Sequence, residues 1–86
     1  MSWFVYIVEC CDETLYCGIT CDIARRLNEH NGTLSGGAKY TASRRPVRLV
    51  ASAEVESRAE AARIEARIKK LPKRKKLNFI ASLKQI

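Results

Sequence analysis

The sequence predicts an α+β domain, a three-stranded antiparallel sheet flanked by helices in the order ββαβαα. Three observations carry this. The apolar runs WFVYIVE (3–9) and LYCGIT (15–20) are rich in β-branched and aromatic residues, and only a short polar break divides them, as in a β-hairpin. The helical patterns then follow with a single further strand among them, which lacks the strand–helix alternation of a doubly wound sheet. Finally, 86 residues can enclose one core and not a second, so residues 1–86 form one domain. With 47% apolar residues, four glycines and two prolines, the composition excludes a disordered or fibrous chain.

Trp3 to Glu9 is apolar on both alternating faces, as suits a strand covered on both sides, and is expected at the centre of the sheet. Asp12, Glu13 and Thr14 supply the turn. Leu15 to Thr20 returns beside the first strand, with Tyr16, Gly18 and Thr20 sharing a face. Asp22 suits the N-cap of a helix reaching about His30, its buried side marked by Ile23 and Leu27. At about 100° per residue, Arg26 and His30 fall roughly 60° and 20° from Ile23 and flank the core, whereas Arg25 and Glu29 point roughly opposite. Residues 32–46, GTLSGGAKYTASRRP, have no period and read as a loop with room for a short helical turn; loops of this length are often functional. Val47 to Glu54 is the third strand. Ser57 and Glu60 form a capping box before a helix with the apolar stripe Ala61, Ile64, Ile68 and Leu71. Pro72 is expected in the first turn of a last helix, buried through Leu77, Ile80 and Leu83.

The net charge of +7 is unevenly spread: residues 1–35 carry two basic and five acidic groups (−3), residues 36–86 carry 14 and four (+10). A polyanion such as nucleic acid is the natural partner of that surface, through counterion release, although a basic face also serves plain solubility. No apolar stretch approaches the roughly 20 residues that cross a bilayer, and the N-terminus lacks the pattern of a signal peptide. A cytoplasmic protein without a membrane partner is expected, with a monomer the favoured state. Four cysteines crowd into positions 10, 11, 17 and 21 with nothing to pair across the fold, and their spacing is not that of zinc pairs. Reduced structural thiols are the expected reading.

Five residues stand out chemically: Tyr6 and Tyr16 on neighbouring strands, Arg26 and His30 on the first helix, and Glu65 on the second. Glu65 falls at the edge of its buried stripe, where a carboxylate is costly without a cation or donor. If the five converged they would suit phosphodiester hydrolysis, with Glu65 holding a divalent cation, Arg26 neutralising phosphoryl charge and a tyrosine or His30 handling a proton. Each also has a plain structural explanation: core aromatics with a hydroxyl at the rim, an Arg26–Glu65 ion pair, and a satisfied buried histidine.

The segments VYIV (5–8), YCG (16–18), RRLNEH (25–30) and EAARIEARIKK (60–70) resemble, in order and spacing, the motifs of GIY-YIG nucleases. The resemblance spans nearly the whole chain and is strongest to the small single-domain bacterial proteins of that superfamily, a group of largely unassigned role. It implies an endonuclease, a hydrolase acting on nucleic acid with DNA the expected substrate, in a setting such as DNA repair or recombination. By that resemblance Tyr6 and Tyr16 would lie side by side, one helping to activate water. Arg26 would be the family arginine, ten residues past Tyr16, with His30 four further on. Glu65 would bind a single Mg2+ or Mn2+, which one carboxylate holds weakly without substrate. The segments GGAKYT and RRP also look typical of the small-protein group, which makes Lys39, Tyr40, Arg44 and Arg45 expected substrate contacts. The basic run holding Lys69, Lys70, Lys73 and Arg74 is expected on backbone phosphates.

There are departures. Phe4 and Val5 precede Tyr6 in place of the leading glycine and isoleucine, and Cys17 replaces an aliphatic residue. The asparagine that many members carry after the second helix has no match in KRKK (73–76), Asn78 being out of register. An alternative is therefore a nucleic-acid-binding module on the same fold without turnover; a metal or redox protein built on the four cysteines is a further one.

Overall fold

The computed structural model describes residues 2–83. Strands β1 (Trp3–Glu9), β2 (Leu15–Thr20) and β3 (Arg48–Val55) form one antiparallel sheet in the order β2-β1-β3, with β1 central as expected. Helices α1 (Ile23–His30), α2 (Lys39–Ala42), α3 (Arg58–Lys69) and α4 (Lys73–Leu83) complete it. The architecture is the expected α+β one with an addition: the aperiodic segment 32–46 folds the four-residue α2, so the order is ββααβαα.

Both faces of β1 are covered. Val5, Tyr6, Ile7 and Val8 are all buried, and strand alternation sends them to opposite faces of the sheet, which divides the single core expected of 86 residues into two clusters. Val5 and Ile7 join Cys17, Ala53, Ala61, Ile68 and Ile80 beneath α3 and α4. Tyr6 and Val8 join Cys10 and Val47, with Tyr16 and Leu27 packed against them, on the face served by α1. The hairpin closes through Cys10 N–H to Thr14 O (2.8 Å) and Glu13 N–H to Cys10 O (2.9 Å). Helices α1 and α3 are capped where the sequence predicts: Asp22 accepts from the Arg25 N–H and Ser57 from the Glu60 N–H, both at 3.1 Å.

Two boundaries and one helix face differ from the expectation. Val47 stands outside β3 because the Asn31 side chain takes its backbone, accepting its N–H at 2.7 Å and donating to its carbonyl at 3.0 Å. Pro72 lies before α4 rather than in its first turn, its carbonyl accepting the Lys75 N–H at 2.9 Å. The buried side of α4 runs through Lys76, Phe79, Ile80 and Leu83, and Leu77, roughly 110° from the middle of that stripe, is 38% exposed. Leu77 instead lines a groove of about 500 Å³ with Glu9, Leu15, Pro72, Lys73 and Arg74. No helix among the described residues is long and apolar enough to cross a membrane.

Candidate active site

Tyr6 of β1 sits opposite Gly18 of β2, and Tyr16 opposite Val8, so both tyrosines project from one face of the sheet, diagonal to each other. The Tyr6 ring lies across Gly18: a Cβ there would stand 2.5 Å from Tyr6 Oη and 2.7 Å from Cζ. The motif glycine is thus the space in which the first tyrosine lies. From there Tyr6 Oη reaches α1, 2.7 Å from His30 Nε2 and 3.3 Å from Arg26 Nε, which donates to it. The other ring nitrogen, His30 Nδ1, is 2.9 Å from Thr41 Oγ1 of α2. Tyr6, His30 and Thr41 are all at most 1% exposed. Tyr16 presents its ring to His30 edge-on (centroids 5.2 Å apart), Tyr40 of α2 stacks on Tyr16 at 5.8 Å, and the Arg44 guanidinium covers Tyr40 at 4.0 Å.

Electrostatics follows from this packing. Burial first, and then the Arg26 charge, push His30 down to about 4, so its imidazole is neutral. Burial pushes Tyr6 up to about 12 against the pull of the Arg26 hydrogen bond. Burial opposes the Arg26 charge too, but hydrogen bonds to Glu29 and Tyr6 outweigh it and hold its pKa above the ordinary value. Arg26 Nη1 donates to Glu29 Oε1 (2.7 Å) and to the Gly36 carbonyl (2.8 Å). Neighbouring Gly37 lies so close to the Glu29 carbonyl that no side chain fits, which brings the glycine pair against α1. Arg26 Nη2 and Tyr16 Oη have no protein partner among the described residues, and no buried side-chain nitrogen or oxygen there lacks one, so both atoms meet solvent.

Glu65 arrives from the other side. Helix α3 packs on the sheet face that carries Cys17, whose thiol is pushed up to about 12 by burial and next by the Glu65 charge. Cys17 follows Tyr16 on β2, so Glu65 and Tyr16 approach this edge strand from opposite faces, and no hydrogen bond or ion pair joins Glu65 to the Tyr6–His30–Arg26 cluster among the described residues. The Arg26–Glu65 ion pair, the structural alternative for these two residues, does not form; two local pairs stand instead, Arg26 with Glu29 and Glu65 Oε2 with Lys69 at 3.2 Å. Glu65 Oε1 meets solvent by the same accounting. No group of three or more His, Cys, Asp or Glu that could hold a metal occurs among the described residues. A lone, solvent-reaching carboxylate nevertheless fits Mg2+ or Mn2+, which keep several waters and complete their shell with substrate phosphate.

The remaining basic candidates divide by what already holds them. Arg44 donates to Asp12 (3.0 Å) and the Tyr40 carbonyl (2.8 Å), and Arg45 to the His30 carbonyl (2.6 Å), so both brace α2 against the hairpin and α1. Lys73 donates to the Glu13 carbonyl. Lys39, Lys70 and Arg74 are exposed, without side-chain partners among the described residues. Two residues that sequence reasoning passed over belong to the cluster. Glu29, placed opposite the core on the helical wheel, is three residues from Arg26, the spacing at which helix side chains meet. Thr41 lies in the aperiodic segment and gave no signal. The four cysteines are free, Cys10 and Cys17 buried, Cys11 and Cys21 exposed.

Residues 2–78 match the GIY-YIG catalytic domain. A UPF0213 protein of Desulfotalea psychrophila is 54% identical over 84 residues, covering 96% of this chain and 76% of its own, and one of Cupriavidus necator is 43% identical over 83 residues, covering 95% and 87%. The solution structure of the UPF0213 protein from Bacillus halodurans has a TM-score of 0.57 at 43% identity, covering 95% of this chain and 85% of its own. That of a protein from E. faecalis reaches 0.67 at 32% identity, covering 100% and 90%. With the domain match spanning residues 2–78 of its 86, this chain belongs to the GIY-YIG catalytic domain family.

Proposed function

We propose that this protein is a divalent-metal-dependent endonuclease that hydrolyses phosphodiester bonds in nucleic acid, with DNA as its substrate. The observation that carries the reading is the fixed Arg26 guanidinium, held on three sides by Tyr6, Glu29 and Gly36 while Nη2 meets solvent. A cation so preorganised loses little on reorganisation when phosphoryl charge develops beside it, which is where electrostatic catalysis gains most. Tyr16 Oη, the solvent-facing hydroxyl of the motif pair, accepts a hydrogen bond from the attacking water and orients it; as the new P–O bond forms and the ester P–O bond breaks, the water's proton leaves to solvent and the displaced oxygen takes one up from solvent. Tyr6 and His30, both buried, hold Arg26 and Tyr16 in place. Glu65 would hold Mg2+ or Mn2+ at the β2 edge, where the bound ion supplies Lewis acidity toward the phosphate. Lys39 and Tyr40 of α2 border the substrate on one side, and the exposed cations of segment 69–76 hold backbone phosphates.

The test is a cleavage panel of duplex, branched and single-stranded DNA and RNA with Mg2+ or Mn2+. Arg26→Ala and Glu65→Ala should each lower the rate by about two to three orders of magnitude with binding retained, as for loss of a transition-state charge donor. Activity surviving Glu65→Ala would mean a contaminating nuclease or a misassigned site. Salt-dependent binding without cleavage on any substrate would leave a binding module in its place.

A further inference from the structure

The buried chain Thr41, His30, Tyr6, Arg26 has a polarity that donor accounting fixes. Thr41 Oγ1 has one proton, and the Ala38 carbonyl, 3.0 Å away, receives it. The same oxygen can then only accept from His30 Nδ1 at 2.9 Å, which places the imidazole proton on Nδ1. A neutral imidazole protonated there has a bare Nε2, and Tyr6 Oη, 2.7 Å away, must donate to it. With its proton turned inward, Tyr6 offers a lone pair to the Arg26 Nε–H at 3.3 Å. The opposite tautomer would make Thr41 give up Ala38. It would also make Tyr6 accept from both His30 and Arg26, leaving the Tyr6 proton to find another acceptor in a site where Tyr6 is 1% exposed.

We infer that Thr41 is a positioning residue that selects the Nδ1–H tautomer of His30, and through Tyr6 fixes the plane in which Arg26 presents its free nitrogen. The inference rests on the proposed nuclease reading only for its catalytic consequence; the tautomer belongs to the protein alone. It also gives α2 a purpose, since this four-residue helix carries both Thr41 into the buried chain and Tyr40 onto Tyr16.

His30 is the chain's single histidine, so nitrogen-15 NMR of the imidazole reads the tautomer without ambiguity. The wild-type protein at pH 7 is expected to show Nδ1 protonated and Nε2 bare. Thr41→Val, which keeps the shape and removes the acceptor, should turn the Nδ1–H form from dominant into a minority, and Thr41→Ser should restore it. Thr41→Ala gives the same readout if the valine variant does not fold. A wild-type spectrum with Nε2 protonated overturns the inference outright, as does a folded Thr41→Val or Thr41→Ala protein whose imidazole spectrum is unchanged. Failure of the cleavage panel would leave this result standing, so the two readings fail separately.

Discussion

Gly18 is where the two tyrosine motifs become one structure, because the second motif's glycine is the floor under the first motif's ring. A methyl group at that position would stand 2.5 Å from Tyr6 Oη, so Gly18→Ala cannot be accommodated unless the phenol moves off His30. Overpacking of this kind costs about 1–3 kcal/mol, and the urea midpoint should fall accordingly with its slope unchanged. A variant as stable as wild type would show that the ring does not need that space. The buried imidazole makes a second prediction. His30 is pushed from 6.5 down to about 4, so between those pH values the unfolded chain takes up a proton that the folded chain refuses. Stability is therefore full above about pH 6.5 and falls as pH drops toward 4, by about 3 kcal/mol if the whole shift is expressed. Glu29, which the Arg26 hydrogen bond holds below the ordinary carboxylate range, is lost only at lower pH and does not account for that window. Urea titrations at pH 7, 5.5 and 4.5 check this, and His30→Gln should flatten the curve there.

At the level of elements, strands were legible because their signal is short-range: β1 and β2 carry their alternation, turn and tyrosine spacing within 18 residues, from Trp3 to Thr20. The caps Asp22 and Ser57 were legible for the same reason. What escaped was set by tertiary contact. Helix α2 has no apolar period and exists because Thr41 is buried against His30 and Tyr40 stacks on Tyr16, neither of which a window along the chain contains. The site was half legible: spacing gave Tyr6, Tyr16, Arg26 and His30, but the partner of Arg26 turned out to be Glu29, because a neighbour on the same helix costs less ordering than one on α3. Helix α4 buries a different face from the one its pattern predicts, since Leu77 and Ile80 are both apolar and three residues apart, and only the sheet decides between them. That correction is testable. Ile80→Ala should cost about 2–5 kcal/mol as a fully buried truncation, and Leu77→Ala less than about 1 kcal/mol, in parallel urea denaturations. Equal losses would restore the symmetric stripe.

Over the whole molecule, the +7 charge is less free than its count suggests, because the fold spends several cations on itself. In the segment 69–76, Lys69 pairs with Glu65, Lys73 donates to the Glu13 carbonyl, and Lys76 donates to the Ile68 carbonyl at 3.0 Å. Lys70, Arg74 and Lys75 are exposed and have no side-chain partner among the described residues. Counterion release rewards only cations that can leave their protein partners for phosphate, so nucleic-acid binding should discriminate between these two sets although they alternate along the chain. Lys70→Ala or Lys75→Ala should weaken DNA binding uniformly across sequences and reduce the slope of log affinity against log salt by about 1. Lys76→Ala should leave that slope almost unchanged and appear as lost stability, since it removes a donor from the end of α3. Fluorescence anisotropy on one duplex from low to moderate salt separates the outcomes. If Lys76→Ala flattens the slope as much as Lys70→Ala, bound nucleic acid recruits the whole run and the division into structural and free cations fails. A salt slope indifferent to all three would place the phosphates elsewhere, on the side of Lys39 and α2.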